Sequence, residues 1–119
     1  MKLGPEDKLQ LAVLEYLELV IDEPYECYHT PNSGRRTQAA ANLFKMLGVT
    51  PGVPDLTLIT GRGLNFIELK HGKNKPSAAQ ADFMSRVRSL GCGTAVCYSI
   101  EDVRNALKAW GIRTREVAA

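Results

Sequence analysis

The sequence lacks several features that would place the protein outside the cell or in a membrane. No apolar run approaches the roughly 20 residues that a helix needs to cross a bilayer, and the first residues lack the continuous apolar stretch of a secretory signal. The three cysteines, Cys27, Cys92 and Cys97, are too few for a disulfide framework, so we expect reduced thiols. These absences predict a cytoplasmic protein, of a bacterium or of a host cell if the source is a virus, with no membrane partner.

The sequence also lacks a strong excess of charge of either sign, internal repeats and low-complexity tracts. Its formal net charge is +2, which neither requires nor opposes a nucleic-acid partner. Hydrophobic residues make up 45% of the chain and charged residues 24%, a balance typical of globular rather than disordered proteins. The 119 residues are enough for one hydrophobic core, so we expect a single domain over residues 1–119 with a loose tail from Thr114 to Ala119.

Apolar residues that recur at helical spacing predict four helices. Pro5 suits the first position of a helix, where its missing N–H costs nothing. On the third helix we expect Phe83, Val87 and Leu90 to face the core. The predicted helices run from Pro5 to about Ile21, from Thr37 to Leu47, from Ser77 to Leu90 and from Ser99 to Trp110.

Short apolar runs bounded by turn residues predict four strands. The segment Thr60-Gly61-Arg62-Gly63, between the second and third of these runs, is typical of a hairpin turn. The order of elements is therefore α-β-α-β-β-α-β-α, which favours an α/β fold with a mixed central sheet flanked by helices. The predicted strands cover Glu26 to His29, Asp55 to Ile59, Leu64 to Lys70 and Thr94 to Tyr98, and the last of them looks buried.

Acidic and basic side chains lie at the ends of the two hairpin strands. Because side chains alternate along a strand, Glu68 and Lys70 share one face while Ile67 and Leu69 share the other. The hairpin brings Asp55 alongside, so two carboxylates and one ammonium group converge. Taken singly, each of these residues would be explained as part of a solvated strand face or of a turn. Their combination on an apolar hairpin favours a functional site.

Such a cluster has the chemistry of a magnesium site. Two converging carboxylates raise each other's pKa unless a cation lies between them. Mg²⁺ suits this pair because it binds a few carboxylates together with water and phosphate oxygens. A bound Mg²⁺ can neutralise phosphoryl oxygens and activate a water molecule in phosphodiester hydrolysis. Lys70 can orient the attacking water and stabilise the developing negative charge; a role as general base is left open.

The motif resembles that of a known nuclease superfamily. Pro54-Asp55 followed by Glu68-Leu69-Lys70 resembles the PD-(D/E)xK nucleases. The fold that this resemblance implies is restriction-endonuclease-like, a mixed sheet with flanking helices, in agreement with the order of elements above. The longer set of Gly52-Val-Pro-Asp-Leu, Phe66-Ile-Glu-Leu-Lys, Gly72, Ser77 and Gln80 resembles the VRR-NUC branch, the virus-type replication and repair nucleases, over about Glu6 to Leu107.

The resemblance implies a role for each residue that matches the family motif. Asp55 and Glu68 match the metal-binding carboxylates, and Lys70 matches the catalytic lysine. Gln80 matches a catalytic glutamine on the following helix, and Glu6 a metal-binding, catalytic glutamate on the first helix.

Two of these assignments have alternatives. Glu6 fits the family spacing best, but Glu15 and Glu18 lie on the same helix. Ser77-Ala-Ala-Gln80 is also a capping box, in which Gln80 would simply bond back to the start of its helix. The capping role and the active-site role of Gln80 are compatible at different moments.

Polar and basic residues flank the motif and are candidates for DNA contacts. Paired arginines in a turn suit a phosphate backbone, and VRR-NUC proteins are similar here in carrying an Asn-Gly-basic turn. The loop that follows Lys70 can also reach phosphates, although a charged loop is usually only solvated. The candidates are Asn32, Arg35, Arg36, His71, Lys73 and Lys75.

The resemblance implies an endonuclease that hydrolyses phosphodiester bonds in DNA, with Mg²⁺ as its cofactor and Mn²⁺ as a substitute. Standalone family members look like homodimers that act on branched DNA such as Holliday junctions, and symmetric cutting of two strands needs two sites related by a two-fold axis. We therefore expect branched DNA and a second copy of the chain as partners. The alternatives are a catalytically silent DNA-binding module and a partner-recruiting subunit with a nuclease fold.

Overall fold

The computed structural model describes residues 2–31 and 37–115, and within these ranges four helices and four strands follow one another in the predicted order. No helix in these ranges is both long and apolar enough to cross a membrane. The elements are α1 (Pro5–Val20), β1 (Tyr25–His29), α2 (Gln38–Met46), β2 (Leu56–Thr60), β3 (Gly63–Leu69), α3 (Ala78–Ser89), β4 (Gly93–Cys97) and α4 (Ile100–Ala109).

The strands form one mixed sheet in the order β1-β2-β3-β4. The β1–β2 and β2–β3 pairs are antiparallel, and Thr60 pairs with Gly63 across the predicted hairpin turn. Strand β4 runs parallel to β3. A parallel neighbour needs a crossover connection, and α3 supplies it. The mixed sheet flanked by helices confirms the predicted fold class.

The main core lies on the face of the sheet that α1 and α4 cover. The other face carries α3, where the rings of Phe66 and Phe83 meet edge to face with centroids 5.2 Å apart. Strand β3 is therefore covered on both faces, which explains why all five residues from Asn65 to Leu69 are buried. The residues that contribute most to the main core are Val13, Leu17, Leu56, Leu58, Ile67, Leu69, Val103 and Leu107.

The stripe predicted for the third helix is partly wrong. Leu90 is 80% exposed, whereas Met84 and Gln80 are buried. The reason is that α3 ends at Ser89, so Leu90 is the cap residue beyond the part of the helix that lies on the sheet. Gln80 and Met84 are one turn apart and share the face that meets β3.

The strand predicted over Thr94 to Tyr98 is less buried than its sequence suggests. Cys97 is buried, but the rest of β4 is only half-buried. Tyr98 lies outside the strand and is exposed, with its hydroxyl donating to the carbonyl of Asn74 at 2.7 Å. Because β4 is an edge strand, part of its surface has no neighbour to cover it.

The prediction of a loose tail from Thr114 is wrong for the first two residues of that tail. Thr114 forms an antiparallel bridge with Ile21, and the Arg115 N–H donates to the carbonyl of Val20 at 2.7 Å. The Arg115 guanidinium also donates to a carboxylate oxygen of Asp22 at 2.9 Å. The chain after α4 thus pairs with the end of α1. Residues 116–119 lie outside the described ranges.

The thiols of Cys27, Cys92 and Cys97 are free, as predicted. Burial raises the pKa of Cys27 to about 11 and that of Cys97 to about 12, and nearby acidic side chains add to both shifts. A thiol reacts as its thiolate, so these two cysteines are poor nucleophiles near neutral pH.

Candidate active site

The register of the β2–β3 hairpin places Asp55 across from Glu68. Leu56 pairs with Ile67, and one residue further along the same register Asp55 faces Glu68. The Asp55 N–H donates to Glu68 Oε1 at 3.1 Å, and the Leu69 N–H donates to Asp55 Oδ2 at 2.7 Å. Each carboxylate therefore accepts a backbone hydrogen bond from the opposite strand end. This exchange extends the hairpin ladder with side-chain oxygens and fixes both carboxylates.

The backbone of Asp55 is also held from β1. The Asp55 carbonyl accepts from the Thr30 N–H at 2.9 Å and lies 2.9 Å from His29 Nδ1. Because a carbonyl can only accept, this contact requires the Nδ1 tautomer of His29 to carry the proton. His29 therefore supports the backbone of the site.

Glu68 is a buried carboxylate with charged and polar partners. Its residue is 2% exposed. Lys70 Nζ lies 3.0 Å from Glu68 Oε2, and the Gln80 side-chain amide donates to the same oxygen at 2.8 Å. Ile67 and Leu69, on the opposite face of β3, belong to the main core. This burial contradicts the alternative of a solvated strand face.

Burial has a direct electrostatic effect on Glu68. Loss of solvent raises the pKa of Glu68 from 4.5 to about 7. The hydrogen bond from Lys70 opposes this rise, and the charge of Asp55 adds to it. Near neutral pH this carboxyl is therefore poised between its two protonation states, and a cation beside Asp55 and Glu68 would favour the ionised form.

Gln80 forms the predicted capping box and, at the same time, a hydrogen bond to Glu68, while its catalytic role stays a prediction. Its Oε1 accepts from the Ser77 N–H at 2.8 Å while the Ser77 hydroxyl accepts from the Gln80 N–H at 3.2 Å, which completes the capping box. Its Nε2 donates to Glu68. The Gln80 amide thus caps α3 with its oxygen and binds Glu68 with its nitrogen, and it makes both contacts at the same time.

Gly52 explains why the start of α3 lies so close to the site. Its φ of 80° is in the left-handed region, and a Cβ placed there would lie 2.2 Å from the Ala79 carbonyl oxygen and 2.7 Å from the Gln80 nitrogen. A glycine is needed for both reasons. The segment that leads to Asp55 therefore packs backbone to backbone against the first turn of α3, which fixes the position of Gln80.

The carboxylate pair fits the divalent cation that the sequence resemblance implies. Mg²⁺ is usually held by one or two carboxylates and completes its shell with water or phosphate oxygens. Asp55 is only half-buried, and its Oδ2 accepts from the Leu69 N–H. In the part of the chain that the structure describes, no three histidine, cysteine or acidic residues form a group that could hold a metal ion. The geometry therefore offers a pair of ligands, Asp55 and Glu68.

The structure distinguishes the three glutamates considered on the first helix. Glu6 is half-buried and lies seven positions before Val13, on the stripe of α1 that faces the core. Glu15 and Glu18 are exposed. Glu6 is therefore the α1 glutamate that faces the interior, although it does not form a three-residue ligand group with Asp55 and Glu68.

The candidate DNA contacts fall into two groups. Asn32, Arg35 and Arg36 lie outside the described residues. The other three, His71, Lys73 and Lys75, are exposed in the loop that follows Lys70. This loop is tied to the sheet by the hydrogen bond from the Tyr98 hydroxyl to the Asn74 carbonyl. Sequence reasoning assigned Tyr98 to a buried strand and so missed this tether.

We expect the raised pKa of Glu68 to make stability depend on pH. The folded protein binds a proton that the unfolded chain releases between pH 4.5 and about 7, so this contribution to the free energy of unfolding is lost as pH rises through that window. In EDTA, the difference in unfolding free energy between wild type and Glu68→Gln should decline from pH 4.5 to about 7, as measured by urea denaturation. Glu15→Gln controls for the general loss of a surface carboxylate. A constant difference for Glu68→Gln would contradict the shift.

We expect Gly52→Ala to destabilise the protein by about 1–3 kcal/mol, because the new methyl group overlaps the backbone of α3 and the left-handed φ is strained. Gly61→Ala is the matched control, since Gly61 lies in the hairpin turn with no heavy atom within 4 Å of its added Cβ. Urea denaturation midpoints of the two variants test the difference. Equal midpoints would show that α3 can move away from the added methyl group without loss of stability.

Comparison with known proteins agrees with the fold and the motif. A family model described as the VRR-NUC domain matches residues 4–101. No curated protein matches the chain in sequence. A solved structure titled "VRR_NUC domain protein" superposes with a TM-score of 0.68 at 22% identity, covering 92% of this chain and 90% of the other. A second, titled "VRR_NUC domain", has a TM-score of 0.61 at 23% identity, covering 89% and 97%.

The family model spans both hairpin strands, Gly52 and the start of α3, which are the elements that assemble the carboxylate pair. The two structures share the arrangement of a mixed sheet between helices. The chain belongs to the VRR-NUC domain family of the PD-(D/E)xK nuclease superfamily, and its function is accordingly nuclease-like.

Proposed function

We propose that the protein is a Mg²⁺-dependent endonuclease that hydrolyses phosphodiester bonds in DNA, with selectivity for branched DNA such as Holliday junctions. One observation carries the proposal. Two carboxylates, Asp55 and Glu68, face each other at a strand end with the Lys70 ammonium 3.0 Å from the second of them. A structural ion pair would need only one carboxylate, whereas the second one leaves an excess of negative charge that a divalent cation would balance.

Each residue has a distinct role in this proposal. Asp55 and Glu68 would hold the ion, and Glu6 would be the further acid that contacts it through water. The bound ion, Mg²⁺ or in its place Mn²⁺, would supply charge neutralisation on the phosphoryl oxygens and an activated water. Lys70 would orient that water and stabilise developing negative charge. Gln80 keeps Glu68 in position through its 2.8 Å hydrogen bond.

The surroundings of the site suit a nucleic-acid backbone. The exposed His71, Lys73 and Lys75 follow Lys70 directly, and we propose that they contact phosphates on one side of the cut. We also propose that Asn32, Arg35 and Arg36 contact the DNA backbone. Contacts of this kind position the strand without reading its sequence, which agrees with selection by DNA structure.

We expect metal-dependent cutting that requires the lysine. Purified protein is incubated with labelled single-stranded, linear duplex, flap and four-way-junction DNA in Mg²⁺, Mn²⁺ or EDTA. Cutting should occur with either metal, be absent in EDTA and fall by at least about a hundredfold in Lys70→Ala, the range typical of a lost transition-state contact. Lys73→Ala should retain the chemistry and weaken binding only.

The same assay tests which glutamate of α1 contributes to cutting. Glu6→Gln should lower the rate, while Glu15→Gln and Glu18→Gln, which remove exposed carboxylates from the same helix, should not. Tight DNA binding without cutting in either metal would reject the enzyme and favour a catalytically silent DNA-binding module. Neither binding nor cutting would favour a partner-recruiting subunit.

We also propose that the protein acts as a homodimer that associates through α2. This helix has no buried residue, and it exposes Leu43, Met46 and Leu47 on one face, with exposed fractions of 53%, 84% and 70%. A contiguous exposed apolar face of this kind is typical of an interaction surface. Two copies related by a two-fold axis would present two sites to a branched substrate.

Sedimentation equilibrium tests the dimer. Wild type should have twice the 13.1 kDa mass of the chain, and Met46→Glu should shift the protein toward monomer, because a charge would be buried in the interface. Leu90→Glu is the matched control, since Leu90 is 80% exposed at the end of α3, away from α2. A monomeric wild type, or equal effects of both substitutions, would reject this interface.

A further inference from the structure

A cavity of about 500 Å³ lies between α2, the segment 49–53 and the first turn of α3. Its volume is within the range typical of small-molecule and cofactor sites. Both polar and apolar residues line it. The lining includes Gln38, Asn42, Lys45 and Val53.

The cavity adjoins the carboxylate pair through Gln80. Gln80 is one of the residues that line the cavity, and its side-chain amide donates to Glu68 at 2.8 Å. Gly52 and Ala79 line the same wall, where their backbones pack together. A molecule in the cavity would therefore contact the residue that binds Glu68, beside a backbone contact that Gly52 makes possible.

The lining has the chemistry of a base-binding site. Of the described residues that line the cavity, none is acidic and Lys45 alone is charged, so the cavity suits a polar ligand that is neutral or anionic. Gln38 donates its side-chain amide to Asn42 Oδ1 at 2.9 Å, which leaves the Asn42 amide hydrogens available to a ligand. Asparagine and glutamine amides pair with the edges of bases. Val53 offers apolar surface against which an unstacked base can pack.

The position of the cavity limits which nucleotides can use it. A base in an intact duplex is paired and stacked, and removing it from the stack costs a few kcal/mol. An unpaired base in a flap, a single strand or the branch point of a junction does not carry most of that cost. A cavity next to the cutting site would therefore select DNA in which a nucleotide beside the cut is already unpaired.

We propose that this cavity receives the base of an unpaired nucleotide that flanks the scissile phosphate. The inference rests on the proposed nuclease function and deepens it, because it names the structural feature of DNA that the protein selects. Asn42 binds the edge of the base, Val53 packs against its ring, and Lys45 contacts the adjoining phosphate. The base identity is not strongly restricted, since amide contacts and stacking accept several bases.

The experiment uses 2-aminopurine, a base whose fluorescence reports its stacking, placed in a single strand, in a flap beside the branch point, or at the same position of a perfect duplex. Binding is measured in EDTA, so no cutting occurs. Wild type should change the emission of the unpaired probes and leave that of the duplex unchanged. Ala41→Trp fills the cavity, because Ala41 is one of its lining residues. It should abolish the change, whereas Ala39→Trp, an exposed position on the same helix outside the cavity, should retain it.

Cleavage supplies the second measurement. In Mg²⁺, Ala41→Trp should lower the ratio of kcat/KM for flap over duplex by about tenfold, which corresponds to about 1.4 kcal/mol, and Ala39→Trp should not lower it. Asn42→Leu removes the amide at nearly constant volume and should lower the same ratio. It keeps the test decisive if Ala41→Trp does not fold.

The outcomes separate the two proposals. Loss of the emission change in Ala41→Trp, with no cutting by wild type in any metal, would support the cavity and reject the nuclease. Metal-dependent cutting with an unchanged flap-to-duplex ratio and an unchanged emission signal in Ala41→Trp and Asn42→Leu would reject the cavity and keep the nuclease. No emission change with any unpaired probe in wild type would also overturn the inference.

Discussion

The exchange of hydrogen bonds between Asp55 and the end of β3 is the constraint on which the rest of the site depends. The Asp55 N–H is bonded to Glu68, and the Leu69 N–H is bonded to Asp55. These bonds join the two hairpin strands at the point where their backbone ladder ends. They also hold two carboxylates beside each other. The charges of the carboxylates repel, but the hydrogen bonds that they accept from the backbone are favourable. The fold therefore contributes the energy that keeps the acidic pair together.

Two neighbours of Glu68 make this arrangement less unfavourable. Lys70 and Gln80 both donate to Glu68 Oε2, and the pKa of Glu68 is still raised because burial outweighs the lowering effect of Lys70. Gln80 can reach Glu68 only because Gly52 lets the backbone of α3 approach closely. Residues separated by almost thirty positions in the chain thus act on one carboxyl group. A buried charge with several partners is sensitive to the loss of any one of them.

Much of the fold and part of the site could be predicted from the sequence. The order of elements follows from apolar periodicity and from turn residues, and the convergence of Asp55, Glu68 and Lys70 follows from strand alternation across a hairpin. Two of the predictions that failed concern burial. Leu90 continues an apolar stripe but lies past the end of α3, and Tyr98 continues an apolar strand but lies past the end of β4. Periodicity identifies an apolar face and cannot tell where the neighbouring surface stops.

The sequence by itself determined the local geometry of this protein, because alternation, hairpin register and helix caps depend on residues that are close in the chain. It placed Glu68 and Lys70 on one face of a strand and put the capping box of Gln80 at the start of α3. Only the tertiary structure decided that Gln80 also binds Glu68, that Thr114 pairs with Ile21, and that α2 leaves a cavity on one side and an apolar face on the other. These features arise where distant segments meet, and the free energy that fixes them comes from packing between elements, which no local pattern records.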